Sequence, residues 1–295
     1  MSLIKCATTD AFVVIDLDGA SSAGGVVRLA KKVLQDGAWS LARSLTYSYA
    51  SLEMKVSGAS AGINADGDAR GDAIAAFVSE IGGRVETPKL LFDAGKGVGA
   101  AELAGIVADD DRSTMAVDLH DELVAVSVTS ATATALGGLD GATVSFEAGT
   151  DNPAMLKAFA ATGASVIEGG LTSGADVLCV GSKPAVLDHD GAAGVVAKCV
   201  VPVGPLAVSA RAMAVLQRSG AIVLPGFVTL CGPLLAQWPS DGATPQSIRA
   251  DVSARVAEII RAVADHPEGL VLGACERAES FLESWASIPF GRPLA

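Results

Sequence analysis

Residues 143–168, TVSFEAGTDNPAMLKAFAATGASVIE, decide the fold class. Thr143–Glu147 reads as a strand and Pro153–Thr162 as a helix. Asp151 or Asn152 stands at its N-cap, and Pro153 takes the first helical position. Ala164–Glu168 reads as the next strand. The rhythm continues with strands at Val177–Val180, Lys198–Val203 and Ala221–Leu224, and with helices between them such as Ser209–Ser219. Strands separated by short helices predict a parallel, doubly wound, Rossmann-like sheet. Ligands of such sheets bind outside the carboxyl ends of the strands.

Upstream, Phe12–Leu17 predicts a strand ending in a Gly/Ser-rich turn, Gly19–Gly25. Apolar residues Ala38, Leu41, Ala42, Leu45, Tyr49 and Leu52 then follow the spacing of one helix face. Gly58–Ile63 predicts a short strand, and Ile74, Phe77, Val78 and Ile81 mark a helix opening near Asp72. Leu90–Phe92 reads as a buried strand leading into Asp93-Ala94-Gly95-Lys96-Gly97. A helix carrying Leu103, Ile106 and Val107 is expected next. The polar segment Asp109–Ser113 is the candidate crossover between domains. Two helices, about Pro245–Ala264 and Pro267–Trp285, close the chain. The expected architecture is α/β in two domains with a helical C-terminal tail. Residues 1–120 form an α/β domain completed by a helix within 267–295, and residues 121–266 form the Rossmann-like domain.

A chain of 295 residues is long for one core and comfortable for two. Half of it is hydrophobic but only 4% is aromatic, so the cores must be built from Ala, Val, Leu and Ile. The net charge of −12 repels phosphate backbones and argues against a nucleic-acid partner. Apolar runs such as Ala221–Leu224 fall far short of a membrane span. A soluble, cytoplasmic protein is expected. The five cysteines lack any CxxC spacing, which argues against both a disulfide framework and a zinc site. They read as small buried hydrophobes, with Cys231 in Leu-Cys-Gly-Pro the one of most interest. The three histidines, His120, His189 and His266, are far apart and read as surface residues, with Asp188-His189-Asp190 offering at most a weak metal site.

The order of elements carries a series of short strings. Ala20-Ser21-Ser22-Ala23-Gly24-Gly25 is followed by Leu45-Thr46-Tyr47-Ser48-Tyr49-Ala50, Ser57-Gly58-Ala59-Ser60 and Asp93-Ala94-Gly95-Lys96. Then come Leu139-Asp140-Gly141, Ala197-Lys198-Cys199-Val200-Val201 and Gly220-Ala221-Ile222-Val223-Leu224-Pro225-Gly226. This collinear series resembles the Glu/Leu/Phe/Val amino-acid dehydrogenase family, whose corresponding strings read GPALGG, MTYKNA, GGAK, DVGT, LKG, AKIVV and GIVVAPD. The resemblance spans nearly the whole chain. It implies a substrate domain that oligomerises, a cofactor domain that binds NAD(P), and a small-molecule ligand in a cleft between them. On the matching positions, Gly24, Gly25, Tyr47 and Ser57 would contact the substrate, while Ser48, Ser60 and Asp93 would occupy the catalytic positions.

Two lysines that do the family's chemistry are absent. Ser48 stands where the YKNA lysine holds the substrate carboxylate, and Ser60 where the GGAK lysine assists water attack. A hydroxyl carries no charge and is far too weak an acid to replace an ammonium there. Asp93 alone keeps its identity. Lys55 and Lys96 are near in sequence and offer a substitute charge, and Lys96 would pair with Asp93 if its loop turned inward. The dinucleotide motif is degraded to Ala148-Gly149-Thr150-Asp151-Asn152, with Gly149 and Asn152 as its remaining contacts. Asp151 puts negative charge where phosphates should sit. The family's NAGG asparagine is matched by Leu230.

Three functions follow. One is an enzyme repurposed for a small metabolite without hydride transfer, using Asp93 with Ser48, Ser60 or Lys96. Another is a non-catalytic subunit of a homo- or hetero-oligomer, and the third is an NAD(P)-dependent oxidoreductase with altered cofactor contacts. With two hydroxyls in place of two ammonium groups, the pocket is expected to suit a neutral or cationic ligand.

Overall fold

The computed structural model describes residues 1–84, 86–106, 110–287 and 291–293. The chain divides into two compact units, Met1–Asp111 with Glu279–Arg292, and a second running from Arg112 to Ala278. The division falls inside the expected crossover, earlier than residue 120; Asp109 of that segment and the neighbouring Val107 lie outside the described residues.

The first unit holds strands β1 (Ser2–Lys5), β2 (Ala11–Ile15), β3 (Ser22–Ala30), β4 (Ser57–Asn64) and β5 (Lys89–Ala94), with helices α1 (Gln35–Ser51) and α2 (Arg70–Gly82). The sheet order is β1-β2-β4-β3-β5. Strand β4 runs parallel to β3, β3 parallel to β5, and β2 antiparallel to β4. Successive side chains of a strand leave opposite faces. One face carries Val13, Ile15, Ala59, Ala61, Ile63 and Phe92, which pack with Ile74, Phe77 and Ile81 of α2. On the other face Phe12 and Val14 pack with Ala38 and Ala42 of α1.

The expected turn at Gly19–Gly25 is corrected: a strand starts at Ser22, and it is β3, one of the sheet's three interior strands. Glycine disfavours strands locally, but here it is needed for close approach. A Cβ on Gly24 would run into the Tyr49 hydroxyl, and one on Gly25 into the Ala59 carbonyl. Helix α1 also seats on glycine. A Cβ on Gly58 would meet the Ala42 carbonyl, and the Gly58 amide donates to Thr46 Oγ1 at 2.9 Å. The helix expected beyond Gly97 is a single 3-10 turn at Ala100–Leu103.

The second unit contains α3 (Met115–Asp118), α4 (His120–Leu136), β6 (Thr143–Phe146), α5 (Pro153–Ala161), β7 (Ser165–Val166) and β8 (Val177–Val180). It continues with α6 (His189–Ala193), β9 (Cys199–Pro202), α7 (Ala210–Ser219), β10 (Ile222–Val223), α8 (Gly226–Thr229), α9 (Gly232–Leu235) and α10 (Pro245–Ala262). The last helix, α11, spans Leu270–Leu282. The sheet is parallel throughout, in the order β10-β9-β8-β6-β7. It is the doubly wound sheet that the alternation predicts. The chain leaves β6 for β7 on one side and returns to β8 on the other, so the topological switch point lies between β6 and β8. Among the described residues no helix is long and apolar enough to cross a membrane.

Candidate functional site

In the first unit the register fixes which expected residues share a face. Val14 of β2 pairs with Ser60 of β4, Ser60 with Val26 of β3, and Val26 with Asp93 of β5. Register partners in a sheet present their side chains to the same side. Ser60 and Asp93 therefore face one side, on either side of Val26. Ser60 is fully buried, whereas Val26 and Asp93 keep partial exposure.

Arg28, two residues beyond Val26 on β3, belongs to the same face. Its Nη2 donates to Ser60 Oγ at 3.3 Å, a long hydrogen bond. Its Nε is buried and has no partner among the described residues. Burial pushes the guanidinium pKa below its ordinary value, because the charged form has lost water. A partly buried cation therefore stands beside Ser60. Arg28 belongs to no sequence motif, because the Ser22–Gly25 start of β3 has the composition of a turn. Once the strand is drawn, period-two counting from Gly24 puts Arg28 on the face beneath Tyr49.

The other expected positions lie elsewhere. Ser57 is an odd number of residues from Ser60, so it faces the opposite side of the sheet. Its Oγ accepts the Leu17 amide at 2.9 Å and donates to the Gly58 carbonyl at 3.0 Å, fastening the start of β4. Gly25 belongs to that opposite side too, while Gly24 lies beneath Tyr49. Ser48 is two residues beyond Thr46, about 200° around α1, and so points away from β4; its hydroxyl donates to the Ser44 carbonyl at 3.2 Å. Tyr47 is buried, and its hydroxyl donates to Glu279 Oε1 at 2.9 Å. Lys55 and Lys96 are both exposed, and among the described residues no ion pair joins Lys96 to Asp93.

The second unit is where a dinucleotide would bind, and its residues do not fit one. At the end of β6 the Glu147 carboxylate accepts the Ser182 amide at 2.9 Å, the Gly181 amide at 3.2 Å and the Ser182 hydroxyl. Gly181 and Ser182 follow directly on β8, so the protein's own carboxylate occupies the donors at the switch point. Burial alone would raise the Glu147 pKa, but the hydrogen bonds from Ser182 and Gly181 outweigh it and hold it below the usual range. At the N-terminus of α5, Asn152 Oδ1 takes the Met155 amide at 2.8 Å and Pro153 has no N–H. The cap predicted for Asn152 is present, and it removes a donor that a pyrophosphate would need. Gly149 supplies the positive φ of +81° at this turn, with Asp151 exposed beside it.

The Leu230-Cys231-Gly232-Pro233 segment is a packing element. A Cβ on Gly232 would strike Ser127 Oγ and the Leu123 carbonyl of α4. Burial raises the Cys231 thiol to about 12, so it stays protonated and unreactive. Among the described residues no group of three or more His, Cys, Asp or Glu is arranged to hold a metal ion.

No protein-family model and no curated protein matches the chain. Solved structures do. The hetero-hexameric glutamate dehydrogenase of Thermus thermophilus superposes with a TM-score of 0.74 at 21% identity, covering 95% of this chain and 86% of that one. The L-tryptophan dehydrogenase of Nostoc punctiforme gives 0.66 at 13% identity over 96% and 95%. The glutamate dehydrogenase of Peptoniphilus asaccharolyticus gives 0.69 at 13% over 93% and 86%. The chain therefore has the amino-acid dehydrogenase fold. At these identities the likeness concerns architecture, and fold does not carry activity.

Proposed function

We propose that the chain is a dehydrogenase-fold protein repurposed to act on a small metabolite without NAD-dependent oxidative deamination. The observation that carries this reading is the shared face of Ser60, Arg28 and Asp93, which keeps an acid–base carboxylate but replaces a titratable lysine by a hydroxyl. A permanently charged guanidinium cannot take up and release protons near neutrality as a lysine can. Asp93 is the group suited to proton transfer, and Ser60 presents a hydroxyl to the same side of the sheet, two strands away. The self-occupied switch point in the second unit agrees with a function that uses no hydride carrier.

A metabolite library screened by thermal shift tests the reading. A ligand of this face stabilises the wild-type protein, and Ser60→Ala or Asp93→Asn abolishes the shift. Ligands that stabilise both variants as well as the wild type would remove this face from the function. NADH or NADPH at millimolar concentration should give no shift, and saturable stabilisation by either would restore the oxidoreductase reading.

A second reading, a non-catalytic subunit of a larger assembly, is favoured by the hetero-hexameric state named for the Thermus thermophilus protein. Association through the first unit is compatible with either function. Light scattering of the purified chain, alone and from co-expression with its genomic neighbours, separates a self-sufficient oligomer from one that needs a partner.

A further inference from the structure

We propose that the second unit carries an accessory ligand site along the outer edge of β10, and that this site takes a small amphiphilic amine, an apolar body with a primary ammonium head. The site lies wholly within the second unit and is independent of the Ser60 and Asp93 face. Among the described strands, β10 has β9 as its one neighbour. The Ile222 and Leu224 amides donate to the Lys198 and Val200 carbonyls at 2.9 Å and 3.0 Å. Successive residues of a strand alternate in direction, so the Val223 N–H and C=O point away from β9. A cleft of about 400 Å³ lies against that edge. Helix α7 forms one of its walls. Ala212 and Leu216 of this helix are buried in the core, whereas Ala210, Met213, Ala214 and Gln217 form a stripe at i, i+3, i+4 and i+7 that lines the cleft. Ile260 of α10 and Val271 of α11 add buried apolar surface. Alanines such as Ala214 and Ala264 keep the space open, since larger side chains there would fill it.

A concave, mostly apolar cleft of this size with a few polar groups has the character of a small-molecule site. Those polar groups select the head of the ligand. Among the described residues, Glu268 is the one charged side chain that lines the cleft. Its backbone is held from both sides: the carbonyl accepts from Gln217 Nε2 at 3.3 Å, and the amide donates to His266 Nδ1 at 3.2 Å. Thr134, on the α4 side, directs its hydroxyl proton to the Ser130 carbonyl at 2.7 Å. Thr134, Gln217 and Glu268 thus offer a ligand chiefly acceptor oxygens, and the last of them is negatively charged. A primary ammonium brings three donors and the opposite charge. A carboxylate head would meet repulsion from Glu268, on a chain whose net charge is already −12. The apolar walls then take the rest of the molecule out of water.

The test follows the Met213 methyl resonance of the full-length protein by NMR during titration with hexylamine, hexanol and hexanoate. Hexylamine should shift that resonance saturably, binding several-fold tighter than hexanol and at least tenfold tighter than hexanoate. Glu268→Gln, a change at an exposed residue, should bring hexylamine down to the affinity of hexanol. Ala214→Trp, which fills the cleft from an exposed position on α7, should abolish the response to all three. If Ala214→Trp fails to fold, the wild-type titrations and Glu268→Gln still decide. Hexanol or hexanoate binding as tightly as hexylamine overturns the proposal, as does hexylamine binding that Glu268→Gln leaves unchanged. A Met213 methyl unmoved by all three probes at millimolar concentration overturns it too. Broadening of the Met213 signal with protein concentration, insensitive to hexylamine and abolished by Ala214→Trp, would assign the cleft to a second copy of the chain and likewise overturn the ligand site. None of these outcomes bears on the first unit's face, which Ser60→Ala and Asp93→Asn test separately.

Discussion

The Glu147 carboxylate accepts the Ser182 backbone amide at 2.9 Å and so ties the end of β6 to the turn after β8. In a doubly wound sheet the crevice at that point is the usual ligand seat. Here the protein fills it with its own anion. Glu147→Ser should release the Gly181 and Ser182 donors, cost about 1 kcal/mol of stability, and bind pyrophosphate more tightly than the wild type. Isothermal titration with inorganic pyrophosphate reads this directly; equal binding by wild type and variant would show that Glu147 does not block the site.

Arg43 and Asp16 form a buried ion pair, with Nε 2.8 Å and 2.9 Å from the two carboxylate oxygens and both side chains almost wholly inaccessible. Removing one partner leaves the other charge buried. Asp16→Ala should destabilise the protein by roughly 3–5 kcal/mol, measured as a lower urea midpoint at unchanged slope. A loss below about 1 kcal/mol would mean that water reaches the guanidinium.

Gly58 lies directly beneath α1, and a methyl group there meets the Ala42 carbonyl and the Thr46 amide. Both obstacles are backbone, so the helix itself must shift. Gly58→Ala should cost roughly 1–3 kcal/mol or more, whereas Gly71→Ala, where a Cβ meets nothing within 4 Å, should be neutral or stabilising. Thermal denaturation of the two variants checks the contrast.

Asp176 accepts from the Thr143 amide at 2.9 Å and pairs with Lys198 at 2.8 Å. The Lys198 ammonium first, and the Thr143 donors after it, hold its pKa well below the ordinary aspartate range. The sign follows from the depressed value. Its contribution is complete above the unfolded-state pKa and is lost as pH falls through the folded-state pKa. Asp176→Asn should therefore lower Tm at pH 7 and narrow the gap to wild type as the pH drops below about 4. A gap that does not change with pH would rule out this linkage.

The second sheet was legible strand by strand, with ends one or a few residues shorter than read everywhere but at Val177–Val180. Strands such as Val177–Val180 are buried on both faces and read as continuous apolar runs, and Asn152-Pro153 marks a helix start by chemistry local to the turn. Helix α4 was not legible, since it is apolar or small around much of its circumference and lacks the amphipathic stripe that announces a surface helix. Strand β3 was misread for a different reason. Its Ser22-Ala23-Gly24-Gly25 start has the composition of a turn, and only the Tyr49 ring and the neighbouring β4 backbone show why small residues are required there.

The sequence by itself determined the α/β class, the parallel second sheet and the presence of helix α1, because each rests on residue identity or on periodicity within one segment. Which side chains meet was decided only by the tertiary structure. The pairing of Val26 with both Ser60 and Asp93 joins residues far apart in the chain, and a shift of one residue would turn every one of them to the other face. That register brings Arg28 beside Ser60 and sends Ser57 to the opposite side. The charge of this face is a property of strand pairing, and no local pattern in the sequence encodes it.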